Sequence, residues 1–416
     1  MKGIIKQLIL FYLAFTIIKF LLSLLVPAPS IFSDEYIYAK LARSFFNSFN
    51  FNVHDIPQFT YPPLNPILWS LSYVFSNMKI VYIVMKFLNA LTSSLIIFPS
   101  YLLAKEFFSE KKALIIGILI SVLPSNFSFT PYIMAENLFY PLFLFAVYFI
   151  YKSFLHKGYK FDLLAGIFIA LSSLTKTAGL ILIPIVIVIF IFKLYKKEYF
   201  EIKKKILMGI VFLILIIPWM IRNTILLGFG LQTLFGDYSR EALNVSKSNF
   251  FLPFITWFIL YLGFLALASG IIFFIMNFNF LFFKNKLKNK KLLVYSLISF
   301  LTIIITVIIG ADHNAVVPSR SLSLIPWLLG RPIGRYIDVI LPLIFINGFI
   351  GFKLFSKKYS KVFLISSLIT AIILLIATQL IFFPLFPVNN LSLVWIGTLR
   401  YLFELIILNK TSFEII

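Results

Sequence analysis

Residues 11–46 read FYLAFTIIKFLLSLLVPAPSIFSDEYIYAKLARSFF. An apolar run ending at Val26-Pro27 gives way within a few residues to two adjacent carboxylates, Asp34 and Glu35. A run of this length and uniformity predicts a membrane-crossing helix, with the acids at its mouth. The opening MKGIIKQ is short and basic, but no small-residue cleavage site follows the run, so a retained helix is expected rather than a signal peptide. Which side the acids face, and what they act on, depends on the rest of the chain.

That chain has 416 residues, 61% of them hydrophobic and 12% charged. Soluble domains are about half apolar and about a quarter charged. Apolar runs of about 16 to 24 residues recur throughout, too long and too uniform for barrel strands. The expectation is an all-α polytopic membrane protein: one transmembrane domain over 1–416, without a soluble C-terminal domain. Cysteine is absent, which removes disulfide and thiolate chemistry. The net charge of +22 would suggest nucleic acid in a soluble protein, but here the lysines fill short loops between apolar runs. No nucleic-acid partner is expected. No GxxxxGK[ST] or GxGxxG stretch offers a nucleotide site.

The lysines set the topology. Segments 105–112, 152–160, 193–205, 284–291 and 353–361, with Lys2, Lys6 and Lys410, hold 24 of the 37 Lys and Arg, all of them lysines. Such loops stay on the cytoplasmic side. Helices are expected near 8–28, 81–103, 113–131, 137–151, 161–175, 179–195, 206–221, 253–276, 292–310, 336–352, 362–383 and 391–408. These twelve crossings put both termini in the cytoplasm and leave outer loops at 29–80, 222–252 and 311–335. The segment YPPLNPILWSLSYVF, 61–75, is apolar enough to cross, but counting it would reverse every later loop. It is read instead as an interfacial helix begun by Pro62 or Pro63, with Tyr61, Trp69 and Tyr73 at headgroup level.

This orientation puts Asp34, Glu35, Asp55, Glu136, Asp237, Glu241 and Asp312 outside, with Arg222, Arg240, Arg320, Arg331 and Arg335. Asp34, at the lipid–water boundary, is placed to be a base, and Glu35 beside it faces another way on a helix. Glu136 is either a favourable acid at a helix N-terminus or a second acid facing the first. Lys176 interrupts the apolar hairpin LSSLTKTAGLILIP and needs water, a carboxylate or an anion. Arg222 either snorkels to headgroups or binds an anion. Arg331 and Arg335, four apart, would form a compact phosphate site on one helix face. His54 beside Asp55 and His313 beside Asp312 are metal-ligand candidates or plain polar loop residues.

The order SDEYIYAKLA, FTYPPLNPILW, AENLFYPLFLF, LTKTAGLILIP, PWMIRN and GRY with Pro342, over roughly 8–350, resembles the GT-C superfamily of membrane glycosyltransferases. The branch it looks like is that of the protein O-mannosyltransferases and lipid A aminoarabinose transferases. The resemblance implies a bundle of about twelve transmembrane helices with an interfacial helix in the first outer loop. It implies transfer of a monosaccharide from a polyprenyl- or dolichyl-phosphate carrier to an acceptor protein, lipid or glycan outside the membrane. Asp34 then matches the base and Glu35 its common neighbour, while Glu136 matches the acid of the second outer loop. Lys176, Arg222 and Arg335 with Tyr336 match phosphate-binding positions, and Arg331 joins them on spacing. Arg43, Tyr61, Asp312 and His313 are candidate supports. Metal-independent, inverting transfer without a cofactor is expected, in a prokaryotic cell membrane. A transporter or flippase of lipid-linked sugars, or an assembly subunit without catalysis, remains the alternative.

Overall fold

The computed structural model describes residues 2–30, 32–195, 197, 199–236, 239, 251–282, 289–316, 332–355, 360–381, 390–395 and 402. Helices α1 (Lys2–Ser23) and α2 (Ser33–Ser48) come first, followed by a hairpin of β1 (Asn52–Val53) and β2 (Ile56–Pro57). Next are α3 (Leu64–Ser70), α4 (Met78–Ser94), α5 (Ile97–Lys105), α6 (Glu110–Ser121), α7 (Pro124–Phe127), α8 (Glu136–Leu155) and α9 (Lys160–Thr175). Then come α10 (Leu182–Tyr195), α11 (Tyr199–Leu227), α12 (Gln232–Phe235), α13 (Phe251–Ala268), α14 (Ile271–Leu281), α15 (Lys290–Val316), α16 (Leu341–Leu354) and α17 (Ser360–Ile381).

Among the described residues, six helical stretches are long and apolar enough to cross a membrane: Gly3–Ser23, Met78–Lys105, Glu136–Leu155, Ile202–Leu227, Phe251–Ala268 and Lys290–Ala315. Thr177–Ile191, Ile271–Leu281 and Lys361–Ala377 are shorter apolar helices. The chain is therefore an all-α polytopic membrane protein, with the two-residue strands of the hairpin β1–β2 its only sheet among the described residues.

The fold divides into two compact units. The first comprises Met1–Ser121, Phe129–Ser246 and Lys284–Ile305, and the second Val122–Ser128, Lys247–Phe283 and Thr306–Ile416. In the first unit, α8 packs on α9 and α9 on α11. Gly166 allows the latter crossing, since a Cβ there would lie 2.5 Å from the Met208 carbonyl oxygen. In the second, α14 packs on α16, where a Cβ on Gly351 would lie 2.2 Å from the Met276 carbonyl oxygen. Asn347 donates to Asn277 Oδ1 at 2.7 Å across the same pair. Small residues that let backbones approach, with polar side chains bonded across, hold helices together where lipid supplies no hydrophobic contrast.

Several expected elements come out differently. The helix expected over 253–276 is broken at Gly270, whose φ of +72° ends α13 and starts α14. The helix expected from 336 begins at Leu341, with Pro342 in its first turn, after two 3₁₀ turns at Gly334–Tyr336 and Asp338–Ile340. The segment 113–131 is helical only to Ser121 before the short α7. Most of 391–408 lies outside the described residues. In 61–75 the helix α3 starts after Pro63 and continues as a 3₁₀ turn, Leu71–Val74, too short to cross. Trp69, expected at headgroup level, is instead 1% exposed and donates to Asn89 Oδ1 at 2.8 Å.

The basic segment 193–205 also holds a surprise. Lys204 and Lys205 belong to α11 and are buried. Lys205 Nζ lies 2.5 Å from Asp162 Oδ1, and Lys204 Nζ 3.8 Å from Asp162 Oδ2. Lys204 also donates to the His156 carbonyl at 2.6 Å, and Lys205 to Ser153 Oγ at 2.9 Å. One acid thus neutralises part of two buried cations, which is why these lysines leave water. Removing one partner of such a group strands the others, at a cost of about 3–5 kcal/mol. Asp162→Asn is expected to lower the thermal unfolding midpoint of the purified protein sharply. Asp55→Asn, at an exposed turn, should leave it unchanged; similar midpoints for both variants would remove the ion-pair argument.

Candidate active site

Helix α2 starts at Ser33 because Phe32 is extended, φ −94° and ψ 125°, and cannot continue a helix backwards. Asp34 and Glu35 both fall in its first turn, where the unpaired N–H groups favour negative charge. Glu35 has no exposure at all. Its Oε1 accepts from the Ser30 N–H at 3.1 Å, the Ser30 hydroxyl at 3.2 Å and the Phe32 N–H at 3.4 Å. Its Oε2 accepts from the Ile133 N–H at 3.0 Å, a bond that ties the start of α2 to the turn before α8. Burial, and the negative Glu35 nearby, push the Tyr132 phenol above its ordinary range.

Asp34 points differently. It is half-buried, and its Oδ1 accepts from the Tyr61 hydroxyl at 3.1 Å. The Tyr61 ring meets Tyr38 edge-on, with centroids 5.1 Å apart, and Tyr38 meets Trp69 at 5.2 Å. Tyr61 also packs against the buried cluster of Leu41, Phe51 and Trp219, as does Leu174. Arg43, by contrast, is exposed on α2.

The turn 129–135 is held from several sides. Asn89 donates to the Tyr132 carbonyl at 2.8 Å, and Asn137 donates to the carbonyls of Phe129, Tyr132 and Met134, each at 3.1 Å. Ser93 bonds Thr130 at 3.2 Å. The turn delivers Glu136 to the first position of α8. Glu136 is 1% exposed and pairs with Lys176 Nζ at 2.5 Å, while the Lys176 side chain keeps 15% exposure. Lys176 is extended between α9 and a 3₁₀ turn, Thr177–Ile181. Gly179 makes that turn possible, since a Cβ there would lie 2.5 Å from the Ser172 carbonyl carbon. Asn65 of α3 donates to the Thr175 carbonyl at 3.1 Å. Asp34, Tyr61, Glu136 and Lys176 are therefore connected through α3 and the turn 129–135 at one end of the first unit.

Arg222 shares that end but is committed to backbone. It donates to the Gln58 carbonyl at 2.8 Å, the Phe51 carbonyl at 3.3 Å and Asn223 Oδ1 at 3.0 Å, three of the five N–H donors of a guanidinium. Its guanidinium carbon lies 4.7 Å from the Trp219 ring centre and 5.3 Å from that of Phe51. It thus clasps the base of the hairpin β1–β2. The hairpin turn, His54 and Asp55, has φ of 49° and 63°, the left-handed pair of a tight two-residue turn. His54 Nε2 is 2.8 Å from the Tyr36 hydroxyl.

In the second unit, Arg335 and Tyr336 lie in a 3₁₀ turn, so the α-helical spacing that paired Arg335 with Arg331 does not apply. Arg331 itself lies outside the described residues, as do Asp237, Arg240, Glu241 and Arg320. The Tyr261 hydroxyl accepts from the Ile333 N–H at 3.3 Å, and Asn390 Oδ1 from the Gly334 N–H at 2.9 Å. The Arg335 guanidinium carbon is 5.8 Å from the Tyr336 ring centre. His313 meets that ring edge-on at 4.7 Å, and Asp312 is half-buried. Among the described residues, no three His, Asp or Glu side chains gather as metal ligands.

The fold resembles that of solved structures with which the chain shares 15–16% of its sequence. Residues 61–221 match the family model described as dolichyl-phosphate-mannose-protein mannosyltransferase. The chain is similar to ArnT from Cupriavidus metallidurans bound to undecaprenyl phosphate, with a TM-score of 0.58 and 16% identity over 88% of this chain and 63% of that one. The apo state of that ArnT gives 0.54 at 16% identity over the same shares, 88% and 63%. The apo oligosaccharyltransferase of Archaeoglobus fulgidus gives 0.52 at 15% identity, over 94% of this chain and 58% of that one. The chain spans about three-fifths of the length of the solved structures it matches. No curated protein matches it in sequence.

Sequence reasoning missed Asn89, Asn137 and Asp162, and it found Lys86 only as a polar residue inside a helix. Lys86 donates to the Ser23 carbonyl at 2.8 Å and to the Val26 carbonyl, and so caps the last turn of α1. A polar residue alone in an apolar helix was the available signal, but its partner is a backbone carbonyl that no motif marks. Glu35→Gln turns one carboxylate oxygen into a donor facing N–H donors. Bonds to a charged group are worth about 1.5–3 kcal/mol each, so faster amide exchange in 129–135, measured by hydrogen–deuterium exchange, is expected. Unchanged protection there would reject the latch.

Proposed function

We propose that this protein transfers a single sugar from a polyprenyl- or dolichyl-phosphate carrier to an acceptor hydroxyl on the extracytoplasmic face. The observation that carries the reading is the split between two neighbouring acids. Glu35 is spent entirely on the scaffold, while Asp34 is half-exposed at the helix start with one oxygen held by Tyr61. Asp34 takes the proton of the acceptor hydroxyl as that oxygen bonds the anomeric carbon. The bond from that carbon to the phosphate oxygen breaks, and its electron pair leaves with the lipid phosphate. A single displacement inverts the anomeric centre.

The leaving phosphate is already an anion and needs cations rather than a general acid. Lys176 is the candidate in the first unit, held by Glu136 yet partly exposed. The resemblance assigns Arg335 and Tyr336 to the lipid phosphate, and spacing alone adds Arg331. Arg222 and Glu35 are better read as residues that position the outer loop and α2. The chemistry calls for no metal and no second carboxylate, unlike glycoside hydrolysis. Twelve crossings with cytoplasmic termini remain our topology, and the partners are the lipid-linked sugar, membrane lipids and an acceptor.

A transporter or flippase needs polar groups lining a path through the bilayer. Among the described residues the intramembrane cations Lys19 and Lys86 do not offer one: Lys19 donates to Ser93 at 3.3 Å and Lys86 to the end of α1. These bonds tie helices together.

Asp34→Asn is expected to leave a folded protein whose transfer falls by about 10²–10⁴-fold. The assay is reconstitution with a panel of polyprenyl-phosphate sugars, read by mass spectrometry of the products. Transfer at the parent rate would reject the base assignment and favour a subunit without catalysis. Arg335→Ala is expected to raise the KM for the donor more than that for the acceptor, and equal rises would argue against phosphate binding.

A further inference from the structure

We infer that Tyr61 is a positioning residue for the reaction, acting through Asp34: its hydroxyl fixes the orientation of the catalytic carboxylate. The inference rests on the reading of Asp34 as base. Its own support is geometric. Asp34 sits in the first turn of α2. The Tyr61 hydroxyl, 27 residues further on, reaches Oδ1 at 3.1 Å. A carboxylate with one oxygen tethered is held in one rotation, which gives the acceptor proton a fixed target.

The tyrosine is itself held. Pro62 and Pro63 follow it, and a residue before proline is confined to extended backbone. Its ring rests edge-on against Tyr38, which is 4% exposed and stacks edge-on against Trp69. Trp69 is anchored in turn by Asn89. On its other side the Tyr61 ring packs against the cluster of Leu41, Phe51 and Trp219. The hydroxyl therefore ends a chain of packed aromatics rather than a mobile arm. Phenylalanine at this position keeps every ring contact and removes only the donor.

The test uses the full-length protein reconstituted in lipid vesicles. The donors are dolichyl-phosphate mannose and undecaprenyl-phosphate aminoarabinose, and water serves as acceptor. Release of lipid phosphate is followed for the parent, Asp34→Asn, Tyr61→Phe and the double variant. Tyr61→Phe is expected to lower kcat about tenfold or more, with the donor KM and the thermal unfolding midpoint unchanged. Added to Asp34→Asn, the same change should have no further effect on residual turnover, because the two groups act as one unit. Parent-like kcat for Tyr61→Phe, or a full further loss in the double variant, overturns the inference while leaving Asp34 as base. Parent-like release by Asp34→Asn, or no release by the parent with either donor, overturns the underlying reading and the inference together.

Discussion

A carboxylate removed wholly from water must have its oxygens met by hydrogen bonds. Glu35 meets that demand with three backbone N–H groups and one hydroxyl, drawn from two separate stretches of chain. Two of those N–H groups, at Ser30 and Phe32, belong to the approach to α2, whose own helix cannot satisfy them. The third, at Ile133, belongs to the turn before α8. One side chain thus fixes where α2 begins and where the turn 129–135 lies. Had it been apolar, each of these groups would have had to find another partner or face solvent.

The same economy governs the other polar groups near the bilayer. Lys86 closes the carbonyl end of α1, Asn89 and Asn137 close the turn 129–135, and Arg222 closes the hairpin. Asp162 holds Lys204 and Lys205 at the far end of α9 and α11. Irregular backbone in a membrane protein persists only where side chains or neighbours satisfy it. These groups serve that need.

How far the sequence could be read follows from the same physics. Uniform apolar runs announce helices whatever their neighbours do, so the helical class and most segments were legible. The ends were not. A break such as Gly270 depends on one backbone angle, and the late start of α16 depends on two 3₁₀ turns that carry no periodicity. The acids Asp34 and Glu35 were visible as a pair, but their division of labour was not. It depends on Ile133, 98 residues away from Glu35, and on Tyr61 for Asp34. Glu136 and Lys176 were singled out separately, one as an acid and one as a cation needing water, a carboxylate or an anion. Their mutual contact is a tertiary fact that neither motif contains. Lys204 and Lys205 looked like ordinary loop lysines because Asp162, their reason for burial, stands in a different helix.

These ties join into one scaffold. From Glu35 the bond to Ile133 leads, three residues on, to Glu136, and from Glu136 the ion pair leads to Lys176. From Asp34 the bond to Tyr61 leads to α3, and Asn65 of α3 bonds the residue just before Lys176. The proposed base and the proposed cation are thus linked by two routes, neither of which passes through a long loop. A displacement reaction needs its attacking and leaving atoms in line, and about an ångström of misplacement costs on the order of 100-fold in rate. The proposed base stands at a helix start next to buried Glu35, and the proposed cation stands beside a tight turn, paired with buried Glu136. Each proposed group therefore extends from backbone that a buried carboxylate ties to the turn 129–135 or to the start of α8.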